Sequence, residues 1–267
     1  MPKTAALLLV LAFGLSAAPA REPQNDARLK KSFRRPDQNG WIFVHLEGSP
    51  SEIGFQHGFL LAPEIEDALK VVALGLTHDS KKDYAFFRTA AEKVLWPHIE
   101  AQYREELKGI VEGLKAKNVP LDLWDVVVLN AWLELTPYYT GWYDQEHKLT
   151  ATKRPVPEHC SAFVATGSYT KDGKIVIAHN NWTEYKEASR WNIIFDIAPL
   201  KGYRLMMDGM PGLIHSGDDF GVNTAGIVIT ELPSGILRAS TPMEFPNSFA
   251  RARPCNTPRR STISPAS

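Results

Sequence analysis

Cysteine is scarce in this chain, two residues in 267, Cys160 and Cys255. That excludes a disulfide framework, and no C-x-x-C or H-E-x-x-H occurs, so a zinc site has no sequence support and no metal ligands are assigned. Net charge is also lacking. Thirty basic and thirty acidic residues cancel, and no basic stripe with interleaved aromatics appears, which argues against nucleic acid as a partner. Neither G-x-x-x-x-G-K-[ST] nor G-x-S-x-G is present, which excludes the P-loop and the nucleophile elbow of α/β-hydrolases. No segment beyond the N-terminus is apolar enough to cross a membrane.

What is present is a well-packed composition, 44% hydrophobic with seven tryptophans, eight tyrosines and twelve phenylalanines, enough to bury one large or two small cores. The first twenty residues, "MPKTAALLLVLAFGLSAAPA", have a positive n-region at Lys3, an apolar stretch from Ala5 to Leu15 and an A-x-A site at Ala18-Pro19-Ala20. This reads as a signal peptide, with a membrane anchor as the alternative. The expected location is secreted or periplasmic, or lysosomal in a eukaryote, without stable membrane insertion once the signal is removed. In an oxidising compartment cysteines are usually paired. A Cys160–Cys255 bridge is formally available, but Cys255 lies in an aberrant tail, so the expectation is an unpaired thiol, either reactive or buried and inert.

Residues 21–40 form a polar leader, read as a surface or disordered segment. "WIFVHL" (41–46) predicts a strand, and Ser49-Pro50-Ser51-Glu52 a capping box with proline at the first helical position. In the helix that follows, Gly54 and Gly58 lie on one face and permit close approach of another backbone, with His57 between them read as a satisfied core histidine. Residues 82–137 read as helical, with breaks at Pro97 and Asn118-Val119-Pro120, and residues 136–159 as a long exposed loop. At Cys160 the pattern changes to strands, and three hairpins are predicted: across Lys171-Asp172-Gly173, across Leu200-Lys201-Gly202, and across Asn223-Thr224-Ala225-Gly226. The fold class is therefore α+β, with a mostly helical part over 41–159 and an antiparallel β part over 160–253. From Pro254 the tail "PCNTPRRSTISPAS" has neither acidic residues nor apolar periodicity. With suitably chosen codons, a reading shifted by one base gives an amphipathic helix, so 254–267 is read as out-of-frame sequence replacing a longer sheet. A natural disordered tail is the alternative.

A thiol that begins a strand directly after an exposed loop suits an N-terminal nucleophile released by self-cleavage between His159 and Cys160. Asn181-Trp182-Thr183 also matches a glycosylation sequon, a weak pattern. Taken in order, "CSAF" (160–163), "HNNW" (179–182) and "HSGDDF" (215–220) followed by "NTAGIVITE" resemble the phospholipase B-like family. More broadly they resemble the peptidase family C45 of penicillin acyltransferases, both within the N-terminal-nucleophile hydrolases; "GFQHG" (54–58) is similar to that group's leader segment. The resemblance runs from about residue 41 to residue 253 and implies an αββα sandwich, here incomplete at the C-terminus. It implies Cys160 as nucleophile, His179 as an orienting or polarising group, and Asp218 and Asp219 as holders of the new amine. Ser161, Asn180 and Trp182 would contact a small-molecule acyl amide or ester, Asn180 as an oxyanion donor. No cofactor is implied, and the oligomeric state is left open. Bland readings stand beside these: Trp182 as a core aromatic, the aspartates as turn caps. At the level of the whole chain, the rivals are a non-catalytic exported binding module and an inactive truncated product.

Overall fold

A computed structural model describes residues 26–149, 160–217 and 220–230. The signal-peptide segment, the cleavage loop with His159, the aspartates Asp218 and Asp219, and the tail lie outside these residues.

The architecture is α+β. Strand β1 (Phe33–Arg34) pairs with β2 (Ile42–Gly48), so the polar leader contributes an edge strand where a surface or disordered segment was expected. Helices α1 (Pro50–Leu60), α2 (Ala62–Ser80), α3 (Tyr84–Ala90), α4 (Ala101–Ala116), α5 (Leu123–Glu134) and α6 (Thr140–Glu146) follow. A two-stranded hairpin, β3 (Ser161–Gly167) with β4 (Gly173–Asn180), precedes the short helix α7 (Tyr185–Ala188). Strands β5 (Ile193–Pro199), β6 (Leu205–Gly209), β7 (Gly221–Asn223) and β8 (Val228–Ile229) complete a six-stranded sheet of order β1-β2-β5-β6-β7-β8.

All three expected hairpins form. The sheet is nevertheless mixed, because β2 runs parallel to β5 over seven residues, from Ile42 opposite Ile193 to Gly48 opposite Pro199. That pairing brings strands from both parts into one core, while the β3–β4 hairpin forms a separate two-stranded sheet. Alternate positions of the central strands (Val44, Leu46, Phe195, Ile197, Met207) share that core with the helices. The intervening positions His45 and Asp196 face away from it. One face of the sheet is thus covered by helices, an arrangement compatible with an αββα sandwich.

The helix boundaries follow local chemistry. Ser49 and Glu52 make the reciprocal capping box that opens α1, and Pro63 stands in the first turn of α2, where its missing N–H costs nothing. The expected exposed loop begins later than anticipated: after a π-turn at Leu135–Tyr139 the chain continues as α6. Its aromatic residues explain this. Phe86 meets Tyr143 edge-on and Tyr139 at a tilt, and the Lys82 ammonium sits 4.9 Å from the Tyr143 ring while pairing with Asp144 at 2.7 Å.

Helices α1 and α4 touch backbone to backbone. A methyl group on Gly54 or Gly58 would overlap the carbonyls of Glu106 and Ile110, and one on Gly109 or Gly113 would overlap those of Ser51 and Phe55. Both helices therefore carry a G-x-x-x-G stripe at their crossing. Gly58→Ala should lower stability by about 1–3 kcal/mol through overpacking. Gly141→Ala, at an exposed helical position where a methyl group meets nothing within 4 Å, should raise it by roughly 0.5–1 kcal/mol. Urea denaturation of the two variants checks the contrast.

Candidate active site

Cys160 stands one residue before β3 and is half-buried. In the β3–β4 ladder Ser161 faces Asn180 and Ala162 faces His179, so the next position of the register sets Cys160 opposite Asn181. The contacts agree. The Cys160 thiol donates to Asn181 Oδ1 at 3.6 Å, and the backbone N–H of Trp182 donates to Cys160 Sγ at 3.4 Å. The sulfur therefore has one acceptor and one donor, both supplied by the chain leaving β4.

The pleat sorts the remaining sequence-assigned residues. Side chains alternate faces along a strand, so His179 lies on the face that carries Cys160 and Asn181, while Ser161 and Asn180 lie on the other. Asn180 Nδ2 donates to Ser161 Oγ at 3.2 Å, a cross-strand pair that locks this end of the hairpin. Trp182 is 59% exposed, which removes its reading as a core aromatic. Asn181 is the residue that reasoning from the motif missed. It was read only as part of a sequon, although the two-residue alternation already separates it from Asn180.

The segment after the hairpin is fastened to the body. Arg190 bonds Asp67 of α2 at 2.7 Å, and the buried indole of Trp191 donates to the Ser216 carbonyl at 3.0 Å. Ser216 in turn donates to Asp208 at 2.9 Å and accepts from Phe220 N–H at 3.0 Å. The chain leaving β4 and the "HSGDDF" loop leaving β6 thus meet beside the start of β5. The residues leading into that loop hang on buried polar side chains from the helices. Asn130 donates to the Gly212 carbonyl and accepts from Ile214 N–H, both at 2.8 Å, and its own carbonyl lies 3.0 Å from His215 Nε2. His57 Nε2 accepts from Gly212 N–H at 2.9 Å, so His57 is the satisfied core histidine expected of it.

A second ionisable cluster lies on the sheet face turned away from the helices. Asp196 accepts two hydrogen bonds from Arg204, at 2.7 and 2.6 Å, and lies 2.8 Å from His45 Nδ1. The Arg204 guanidinium holds the Asp196 carboxyl below its ordinary value against the opposing effect of burial, with His45 adding to the lowering. Elsewhere, burial pushes the Glu187 carboxyl of α7 up, against the lowering effect of Lys186.

The model of the phospholipase B family matches residues 77–242, which span Cys160 and all three motif segments around it. The chain belongs to the phospholipase B family. A protein of Archaeoglobus fulgidus bearing only the description "uncharacterized protein" is 26% identical over 197 residues, 72% of this chain and 32% of its own length. This phospholipase B family member therefore spans about a third of the length of the curated relative it matches.

Asn130→Ala would strand the Gly212 carbonyl and Ile214 N–H in the interior. A loss of roughly 2–4 kcal/mol is expected, since each buried unsatisfied group costs about 1–3 kcal/mol. Asn130→Asp, which keeps the acceptor for Ile214 but turns a buried carboxylate oxygen on the carbonyls of Val126 and Gly212, should lose at least as much at neutral pH; urea unfolding of the two variants makes the comparison.

Proposed function

We propose that this chain is an exported cysteine N-terminal-nucleophile hydrolase or acyltransferase that acts on amide or ester bonds of acyl substrates through a thioester on Cys160. Membership of the phospholipase B family supports a hydrolase of carboxylic ester bonds and a lipid-like acyl group. The single observation that carries the residue assignment is the Cys160 sulfur held by Asn181 and the Trp182 N–H, on the hairpin face it shares with His179.

The chemistry begins with the precursor. The Cys160 thiol adds to the His159 carbonyl, the peptide C–N bond breaks, and the sulfur's proton ends on the released Cys160 nitrogen. Water then hydrolyses the thioester to free the thiol. The new α-amine has an ordinary pKa of about 7.7–8.0, so near neutral pH it can accept the thiol proton in the next cycle. The thiolate attacks the substrate carbonyl, the alcohol or amine leaves with a proton, and water or a second acceptor takes the acyl group. In this scheme His179 orients or polarises the carbonyl, and Asp218 and Asp219 hold the amine. The exposed Trp182 indole offers an apolar wall for the acyl chain. Asn180 and Ser161, engaged with each other on the far face, brace the hairpin; a part for the Asn180 amide in binding the oxyanion needs that pair to open.

Intact-mass analysis of the folded protein tests the reading. The expected result is two fragments divided between His159 and Cys160, and one chain in Cys160→Ala. A single uncleaved chain in the unsubstituted, well-folded protein would overturn the reading and favour a non-catalytic binding module.

A further inference from the structure

The contacts of Asn181 and Trp182 with Cys160 point to a role that the motif comparison does not assign. We propose that Asn181 is a positioning residue that aims the Cys160 thiol and responds to its ionisation; this rests on the nucleophile reading above. Three observations converge on it. Asn181 lies directly across from Cys160 in the extended ladder register, whereas His179 lies across from Ala162, two positions further along. The thiol donates to Asn181 Oδ1 and accepts from the Trp182 N–H, so the two partners play opposite roles at the sulfur. The Asn180–Ser161 bond on the opposite face braces the backbone of the strand end that carries Asn181.

An asparagine suits this place because its amide offers both signs. Oδ1 accepts from the neutral thiol, and rotation about the terminal side-chain bond presents Nδ2–H to the thiolate. With the Trp182 N–H already on the sulfur, the thiolate would then have two donors, the arrangement that favours the charged form. A carboxylate here could only accept and would repel the thiolate. Among the described residues of the hairpin His179 is the other titratable side chain on this face; it, the α-amine of the cleaved chain and the two aspartates assigned to that amine are the same in every variant compared. The same asparagine opens the Asn181-Trp182-Thr183 sequon. A glycan on Nδ2 would take the place of one of its two hydrogens and crowd the thiol, so modification and this role compete.

The experiment uses the full chain with Cys255→Ser, so that alkylation reports Cys160 alone. The pH dependence of the iodoacetamide rate and the rate of self-cleavage are read in parallel, with circular dichroism confirming the fold. In Asn181→Asp the midpoint of thiol reactivity should rise by about one pH unit or more from the like charge beside it. In Asn181→Ala self-cleavage should slow roughly tenfold or more, since a misplacement of about 1 Å can cost ~10²-fold. An unmoved midpoint in folded Asn181→Asp overturns the proposal, and if the parent chain still cleaves, the nucleophile reading survives without it. A raised midpoint in a chain that never cleaves supports the Asn181 contact and counts against the nucleophile reading.

Discussion

The close crossing of α1 on α4 is the constraint from which the rest of the structure is built. Because Gly54 and Gly58 press their backbone against Glu106 and Ile110, the side chains between them have little choice of direction. Phe55 lies under the Arg28 guanidinium at 3.3 Å. Gln56 bonds both backbone groups of Glu47 at the end of β2 and the Arg28 carbonyl of the leader. His57 reaches across the core to Gly212. Five consecutive residues therefore tie the second helix layer, the leader, a central strand and the loop toward Asp218 into one register. Both polar side chains among them are buried, and each is matched to backbone groups that would otherwise be left without partners.

From there the connection to the thiol runs through polar anchors rather than through apolar area. Asn130 and His57 hold the loop after β6, Trp191 holds Ser216 of that loop, and Arg190 holds α7 against α2. The hairpin with Cys160 hangs from this segment. Residues on both of its faces, Phe163, Val164, Ile175 and Val176, are exposed, so within the described residues its shape comes from its own ladder and the Asn180–Ser161 pair. A rigid mount with a lightly packed end would suit the proposed change of Cys160 from mid-chain to N-terminus.

What could be read from the sequence was what local chemistry decides. The capping box at Ser49, the strand at 41–46, the turn at Asn223 and the pair of glycines in α1 each follow from backbone preferences within a few residues. The parallel pairing of β2 with β5 could not be read, since the partners are some 150 positions apart and alternation names a face but no neighbour. Strand β1 is two residues inside a charged segment, too short to leave a pattern. Helix α6 was hidden by Pro137 and Gly141, whose turn character is overridden by the aromatic cluster around Tyr143. At the site the register decides which residues share a face. Motif letters were grouped as neighbours, although adjacent strand residues point to opposite faces; applying the pleat would have separated Asn180 from His179 and brought forward Asn181.

The central claim is that Cys160 becomes a chain terminus whose sulfur carries the acyl group. The most direct measurement is peptide mass spectrometry of the purified protein after brief incubation with a short-chain thiol-reactive acyl ester and an acid quench. The expected result is the acyl mass on a peptide that begins at Cys160, removed by hydroxylamine and absent in Cys160→Ala. Recovery of a continuous, unacylated peptide running through His159 into Cys160 would contradict the claim.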